Sequence, residues 1–361
     1  MGKRLYLPST PLNTLVSVAV ALQQPKEERQ QLALIDQRLP QVDNPLFQAL
    51  AQWPQSPFES MVYSQQFGSG LTSPRHLKTS LQHWSETFET FQPDWVAVGN
   101  DRRIEFQYLM QGLAKQEDVT GAYLDDGLYS YCARPWHWYK QGVNGWLKKW
   151  FVGNWWQEPK AIGESSWIEQ AYLFQPEQAL SSLKCKSTHK LKSTWFTSQK
   201  LLALSQLVAE SFDFDLQALK ATDVVLLIPH PNNLKKMPDQ SRRLIDLAHR
   251  LNQAGRRLAV KYHPRFEQTD ALNFKQNGAQ VVIPSGMAFE FCLPAFKRDA
   301  LVIGDVGTGL YTTRWLRPDM TSVAWLDPSQ AFQSRFVDLS FRLGVEVVTT
   351  DKELEAKCGI H

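Results

Sequence analysis

The stretch RLAVKYHPR, residues 257–265, is the part of the sequence that most clearly indicates the fold. Its apolar run predicts a buried strand, and His263, Pro264 and Arg265 follow where that strand ends. In α/β proteins, ligands bind at the edge formed by the carboxyl ends of the strands. Because Lys261 and Arg265 flank the histidine, we expect His263 to lie in an anion-binding site. A buried structural imidazole is the alternative.

A second strand-like run ends at Leu124 and is followed by Asp125, Asp126 and Gly127. Gly127 permits a sharp turn that would direct one carboxylate towards a substrate. Such a carboxylate could act as a general base, since an adjacent acid or partial burial would raise its pKa. A surface turn capped by an aspartate is one alternative. A metal-binding acid pair is another, although no further acid or histidine stands nearby in the sequence.

Strand-like and helix-like runs alternate through both halves of the chain, which predicts parallel sheets. The strand-like runs are residues 4–7, 32–35, 61–63, 95–98 and 119–124, then 223–228, 257–262, 280–283, 301–304, 322–326 and 345–348. We predict an α/β protein with two Rossmann-like domains, residues 1–205 and 206–361, facing a central cleft. Residues 181–200 carry five lysines and no acid and are interpreted as a solvated linker.

Composition excludes several classes of protein. A length of 361 residues suits two α/β domains, and the formal charge of +3 argues against nucleic acid as a partner. The four cysteines are widely separated without a CxxC spacing, so we expect a reducing, cytoplasmic location. Pro8 and Pro11 interrupt the N-terminal apolar run, which argues against a signal peptide. No run reaches the roughly 18 apolar residues that span a bilayer.

Two further segments suggest nucleotide binding. Residues 304–309 are rich in glycine and include Gly307 and Thr308 before a helix-like run. Main-chain amides and a hydroxyl at a helix start predict a phosphate cradle, and a tight turn between strand and helix is the alternative. Glu290, at another helix start, is predicted to accept hydrogen bonds from ribose hydroxyls. An acid placed there by the helix dipole is the alternative.

Residues 134–156 hold six of the thirteen tryptophans, several lysines and no acid. Trp146 and Trp150 share one helical face, whereas Lys148 and Lys149 leave the other. This pattern predicts a helix that lies on an anionic membrane surface and contacts the membrane or a glycan acceptor. A core helix with aromatic packing, or stacking of the tryptophans on sugar rings, are the alternatives.

The motifs together resemble those of the bacterial GT-B sialyltransferases and polysialyltransferases. That family has an acidic-acidic-glycine motif, a His-Pro motif and a later Ser/Thr motif. The matching segments are residues 125–127, 261–265, 283–290 and 307–308, with further likeness at residues 9–12 and 99–101. One departure concerns the last motif, because many relatives have two adjacent hydroxyl residues where this chain has Gly307 and Thr308.

The resemblance implies a role for each matching residue. Asp126 would be the general base, His263 would assist the departing phosphate of CMP, and Glu290 would hold the ribose. The implied nucleotide-binding residues are His263, Pro264, Lys261, Glu290, Gly307 and Thr308, with Asp125 and Arg265 in supporting positions.

The function implied is inverting transfer of sialic acid, or a related nonulosonate, from its CMP donor to a glycan or glycolipid acceptor. Such a reaction would serve bacterial capsule, surface polysaccharide or lipooligosaccharide synthesis at the inner face of the cytoplasmic membrane. No cofactor and no metal are expected, since hydrogen-bond donors can stabilise the leaving phosphate. The alternatives are transfer from CMP-Kdo or another nucleotide sugar, and a non-catalytic protein that binds glycans or membranes.

Overall fold

The computed structural model describes residues 2–65, 74–114, 119–133, 149 and 153–360. The chain divides into two compact units, Met1–Trp195 and Phe196–His361, and each unit contains one parallel sheet. Among these described residues, no helix has both the length and the apolar character needed to cross a membrane.

The first unit contains a seven-stranded parallel sheet. Its strands are β1 (Lys3–Leu7), β2 (Arg29–Gln37), β3 (Ser60–Gln65), β4 (Trp95–Val98), β5 (Thr120–Leu124), β6 (Gln170–Leu173) and β7 (Ser187–Lys190). Its described helices are α1 (Pro11–Ala21), α2 (Pro45–Ala51), α3 (Pro74–Glu86), α4 (Ile104–Leu113) and α5 (Ser181–Lys184). The strand order is β3-β2-β1-β4-β5-β6-β7, and the five strands predicted from apolar runs coincide with β1 to β5.

Residues 181–200 are not a linker, so that interpretation was wrong. They include α5 and β7, and β7 is the edge strand that pairs with β6 alone. Three of its four side chains are exposed, and an edge strand accommodates polar residues and lysines on its solvent side. Along the chain, the boundary between the two compact units falls between Trp195 and Phe196. Residue 205 lies inside the helix that follows.

The second unit contains a six-stranded parallel sheet. Its strands are β8 (Val224–Leu227), β9 (Leu258–Lys261), β10 (Val281–Ile283), β11 (Leu301–Gly304), β12 (Thr321–Trp325) and β13 (Glu346–Val348). Its helices are α6 (Gln199–Glu210), α7 (Pro231–Lys236), α8 (Pro238–Gln253), α9 (Thr308–Leu316), α10 (Ala331–Arg342) and α11 (Asp351–Cys358). The order is β10-β9-β8-β11-β12-β13. Leu258, Ala259 and Val260 are fully buried, as expected for a parallel strand covered on both faces.

Both sheets reverse their strand order once, between β1 and β4 in the first unit and between β8 and β11 in the second. In open α/β sheets, ligands bind at such a reversal, outside the carboxyl ends of the strands. The segments that leave these ends are residues 8–10, 99–101 and 125–127 in the first unit. In the second unit they are residues 228–230, 262–265 and 305–309.

We predict that Gly121→Ala destabilises the first unit. A β-carbon at position 121 in β5 would lie 1.8 Å from the carbonyl oxygen of Trp167, and no side-chain rotation can relieve a clash with main chain. We expect a loss of about 2–3 kcal/mol in the free energy of unfolding, measured by urea denaturation.

Gly112→Ala in α4 is the matched control for this substitution. Nothing lies within 4 Å of a β-carbon at position 112, and alanine is favoured over glycine inside a helix by about 0.5–1 kcal/mol. An unchanged stability for Gly121→Ala would contradict the close approach of the Trp167 loop to β5.

Candidate functional site

Asp126 lies two residues after the end of β5, at the carboxyl edge of the first sheet, and is half-buried. The Thr10 hydroxyl, in the segment that follows β1, donates a hydrogen bond to Asp126 Oδ1. The same hydroxyl oxygen accepts the main-chain N–H of Asn13 at 3.1 Å as the N-cap of α1. Because a hydroxyl has one proton, this cap leaves the proton of Thr10 for the carboxylate. Thr10 therefore orients Asp126.

Gly99 leaves room for this contact. The strand β4 lies between β1 and β5, so the first turn of α1 has to reach across the end of β4. The side-chain amide of the buried Asn13 donates to the carbonyl oxygen of Leu124 at 3.0 Å. A β-carbon at Gly99 would lie 2.4 Å from Asn13 Cγ. A larger residue at position 99 would therefore displace the turn that holds Asp126.

Asp125 is fully buried and has a structural role. Its Oδ1 accepts the N–H of Gly127 at 2.9 Å and the hydroxyl of Ser130 at 2.7 Å. Its Oδ2 accepts the N–H of Phe174 at 3.1 Å and the hydroxyl of Tyr131. Burial raises the pKa of this carboxyl, and the four hydrogen bonds oppose that rise. The side chain joins the loop after β5 to the loop after β6.

Gly127 allows the two adjacent carboxylates to have different surroundings. Its backbone has φ 102° and ψ −143°, a conformation that residues other than glycine rarely adopt. The chain turns sharply here, so that Asp125 remains inside the unit while Asp126 stays at its edge. The turn was predicted from the residues themselves, whereas the choice of Asp126 as the base came only from the family resemblance.

His263 and His230 lie together at the carboxyl edge of the second sheet. Their ring centroids are 4.7 Å apart, with an angle of 61° between the rings. His263 Nδ1 accepts the main-chain N–H of Arg265 at 3.1 Å, and His230 Nδ1 accepts that of Asn232 at 3.0 Å. A neutral imidazole whose Nδ1 is an acceptor has its proton on Nε2. Both rings are therefore set up to donate through Nε2–H.

The pKa of His263 is lowered to about 4. Burial is the largest cause, and electrostatic interactions with His230, Lys261 and Arg265 add to it. At neutral pH the ring is thus a neutral hydrogen-bond donor. It lies in a positively charged environment, which favours the arrival of an anion.

Lys261 and Glu290 are placed inside the second unit. Lys261 is 5% exposed, and its ammonium donates to the carbonyl oxygens of Tyr262 at 2.7 Å and Ser285 at 2.9 Å. Burial lowers its pKa to about 8. Glu290 is 9% exposed, and its Oε1 accepts the hydroxyl of Thr312 at 2.9 Å. Burial raises its pKa. Both side chains hold the loops around His263 and α9 in place.

The glycine-rich turn after β11 leads directly into α9. Gly307 is the N-cap, Thr308 is the first helical residue, and both are partly exposed. The main-chain N–H groups of a first helical turn lack intrahelical acceptors and can bind a phosphate. Asp305 in the same turn is 8% exposed, and burial raises its pKa to about 6.

The remaining predicted residues lie on the surface or outside the described part of the chain. Pro264 and Arg265 are exposed. Lys149 is described and exposed, whereas Trp146, Lys148 and Trp150 lie outside the described residues, so the predicted membrane contact stays a prediction. Within the described ranges, no group of three or more His, Cys, Asp or Glu residues is arranged to hold a metal ion. The expectation of a metal-free reaction also stays a prediction.

Neither Thr10 nor His230 was assigned a chemical role from the sequence. A threonine before Pro11 is a recognisable helix N-cap, but its contact with a residue 116 positions away follows only from the strand order. His230 carries a clearer signal, because His-Pro follows a buried strand at both positions 230 and 263.

We predict that the two aspartates contribute unequally to stability. Asp125→Ala removes the acceptor of four buried hydrogen bonds and should cost about 3–5 kcal/mol of unfolding free energy. Asp126→Ala should cost about 1 kcal/mol or less, because Asp126 is half-buried. Urea denaturation followed by circular dichroism measures both. Equal losses would contradict the division between an inner and an edge carboxylate.

We also predict that His263 titrates well below a free histidine. Its pKa of about 4 in the folded protein lies below the unfolded value of about 6.5. As the pH falls, the unfolded chain therefore takes up the proton first. The contribution of His263 to the free energy of unfolding is fully present above pH 6.5 and is lost as the pH falls towards 4. An NMR titration of the imidazole resonances measures the folded value. Substitution of His230 by asparagine should raise it, and a wild-type value near 6.5 would contradict the account.

Several solved structures resemble this chain in fold. No protein-family model matches it, and no curated protein does. UDP-GlcNAc 2-epimerase from Methanocaldococcus jannaschii has 14% identity and a TM-score of 0.56, over 99% of this chain and 92% of that one. A galactoside α-2,3-sialyltransferase from Photobacterium phosphoreum has 13% identity and a TM-score of 0.56, over 95% and 98%.

The GT-B domain of a sialyltransferase from Photobacterium damselae is similar to the same extent. It has 13% identity and a TM-score of 0.54, over 96% of this chain and 98% of that domain. At this level of identity the likeness shows the fold. Together with the two parallel sheets, it confirms the predicted GT-B fold with two Rossmann-like α/β units.

Proposed function

We propose that this protein is a metal-independent, inverting glycosyltransferase that uses a CMP-activated sialic acid or related nonulosonate. The observation that supports this most directly is the neutral Nε2–H donor of His263, which is fixed at the carboxyl edge of the second sheet. The acceptor would be a glycan or glycolipid of the bacterial surface.

The second unit has the groups that a departing CMP requires. As the bond between the anomeric carbon and the phosphate oxygen breaks, negative charge develops on that oxygen. His263 would donate its Nε2–H to the phosphate, and the Thr308 hydroxyl with the first amides of α9 would bind the other oxygens. Fixed donors of this kind stabilise developing charge without having to reorganise. Lys261 would act indirectly, because its two bonds to carbonyl oxygens hold the loops that follow β9 and β10.

The first unit has the group that an acceptor requires. Asp126 is half-buried and is oriented by the hydroxyl of Thr10. It would take the proton of the acceptor hydroxyl while the acceptor oxygen bonds to the anomeric carbon on the face opposite the phosphate. Attack on that face inverts the configuration. Asp125 would keep the loop in shape and take no proton.

A UDP-GlcNAc 2-epimerase-like activity is the second candidate. The epimerase from M. jannaschii has the same TM-score as the P. phosphoreum sialyltransferase, so the fold favours neither. The nucleotide distinguishes the two candidates, because a UDP-sugar presents a uracil base and two phosphates.

The test of the nucleotide is a calorimetric titration of the purified protein with CMP, CDP, UMP and UDP in EDTA. We expect selective binding of CMP, weakened about tenfold or more in His263→Asn. Asparagine can still accept the main-chain N–H two residues later, so this variant removes the Nε2–H group of the imidazole and keeps the turn. Preference for UDP would move the assignment to the epimerase class, and no nucleotide binding would favour a non-catalytic protein.

The test of the base is sugar transfer by Asp126→Asn from CMP-sialic acid to a panel of glycan acceptors. We expect the rate to fall about 10²- to 10⁴-fold while CMP binding is unchanged, because Asp126 belongs to the other unit. Asp338→Asn is the matched control, since the side chain of Asp338 on α10 is 90% exposed. Full activity in Asp126→Asn would contradict the assigned base.

A further inference from the structure

The strand order of the second unit places the end of β8 between two parts of the phosphate site. The order β9-β8-β11 puts His263 on one side of β8 and the turn that leads to Thr308 on the other. An anion that binds to both must therefore lie over the carboxyl end of β8. His230 lies three positions after Leu227, the last residue of β8.

The loops after β8 and β9 repeat one local structure. In each, a histidine precedes a proline, and its Nδ1 accepts the main-chain N–H of the residue two positions later. Each ring is fixed by this bond and keeps its proton on Nε2. Neither Nε2 has a hydrogen-bond partner within the described part of the chain. With ring centroids 4.7 Å apart, two N–H donors lie close enough to bind different oxygens of one phosphate.

The charges around the two rings also favour an anion. Lys261 and Arg265 both act on His263 as cations, and His230 does so when it is protonated. Two imidazoles in contact disfavour each other's charged form, and a phosphate between them removes that penalty. A purely structural role for His230 would need only its Nδ1, as the N-cap of α7, and would leave its Nε2–H unused.

We propose that His230 is a second phosphate-binding residue, and that His230 and His263 together bind the phosphate of the nucleotide through their two Nε2–H groups. The identity of that nucleotide as CMP rests on the proposed function. The paired imidazoles themselves require only a phosphate. Each ring donates one hydrogen bond and transfers no proton, so the step is binding without a change of covalent bonds.

The experiment compares His230→Asn, His263→Asn and the double variant with wild type, by calorimetric titration with CMP, UMP, UDP and inorganic phosphate. Asparagine retains a side-chain acceptor for the N-cap and lacks the imidazole donor. We expect about a tenfold weaker affinity for each single variant, and a double variant that departs from additivity because both rings bind one group. His249→Asn is the matched control, since His249 lies exposed on α8.

A second measurement separates contact from packing. The imidazole nitrogen resonances of both His230 and His263 should shift when wild type is saturated with the nucleotide it binds, and thermal unfolding should show that the variants remain folded. Unchanged affinity in His230→Asn, with weakened binding in His263→Asn, would overturn the proposal and leave His230 as a cap. If wild type prefers UMP or UDP, the proposed function fails while a weaker affinity of His230→Asn for that nucleotide still supports this inference. Failure of wild type to bind any of the four compounds would overturn both.

Discussion

The hydrogen bonds from the main-chain N–H groups of Arg265 and Asn232 to the preceding histidine rings are the interactions on which the proposed chemistry depends. Each bond fixes a ring that could otherwise rotate, and each leaves the proton on Nε2. Proline after each histidine restricts the backbone of the turn. The strands β8 and β9, paired in parallel register with Leu227 opposite Lys261, bring the two turns together. The two loops thereby hold their Nε2–H groups in fixed positions as a pair of hydrogen-bond donors.

The first unit solves a related problem by different means. The loop that carries the edge carboxylate Asp126 has to be held in place, and the neighbouring carboxylate does this. Asp125 accepts four hydrogen bonds inside the unit, so its geometry fixes the loop on which Asp126 stands. Asp126 is then oriented from α1 by Thr10. That contact is possible because Gly99 presents no side chain to Asn13.

Much of the fold could be predicted from the sequence, because strands that are buried on both faces appear as short apolar runs. The strands β1 to β5 and β8 to β13 were found in this way. β6 and β7 were not. β7 is an edge strand, and its sequence of Ser, Thr, His and Lys looks like that of a loop.

The site was harder to predict. Two adjacent carboxylates have the same local sequence signal. The choice of Asp126 came from the family resemblance, and the hydrogen bonds show that Asp125 is the one held inside the unit. Lys261 has the charge expected of an anion ligand. Its side chain is nevertheless buried, and its ammonium donates to two main-chain carbonyl oxygens. Contacts such as Thr10 with Asp126 depend on strand order, which no local pattern encodes.

The most direct test of this account is a crystal structure of the protein with bound CMP. We predict that the phosphate lies over the carboxyl end of β8, with its oxygens about 3 Å from the Nε2 atoms of His230 and His263 and from the first main-chain nitrogens of α9. A phosphate bound away from both imidazoles, or bound only through a metal ion, would contradict the central claim that fixed donors of the second unit stabilise the leaving group.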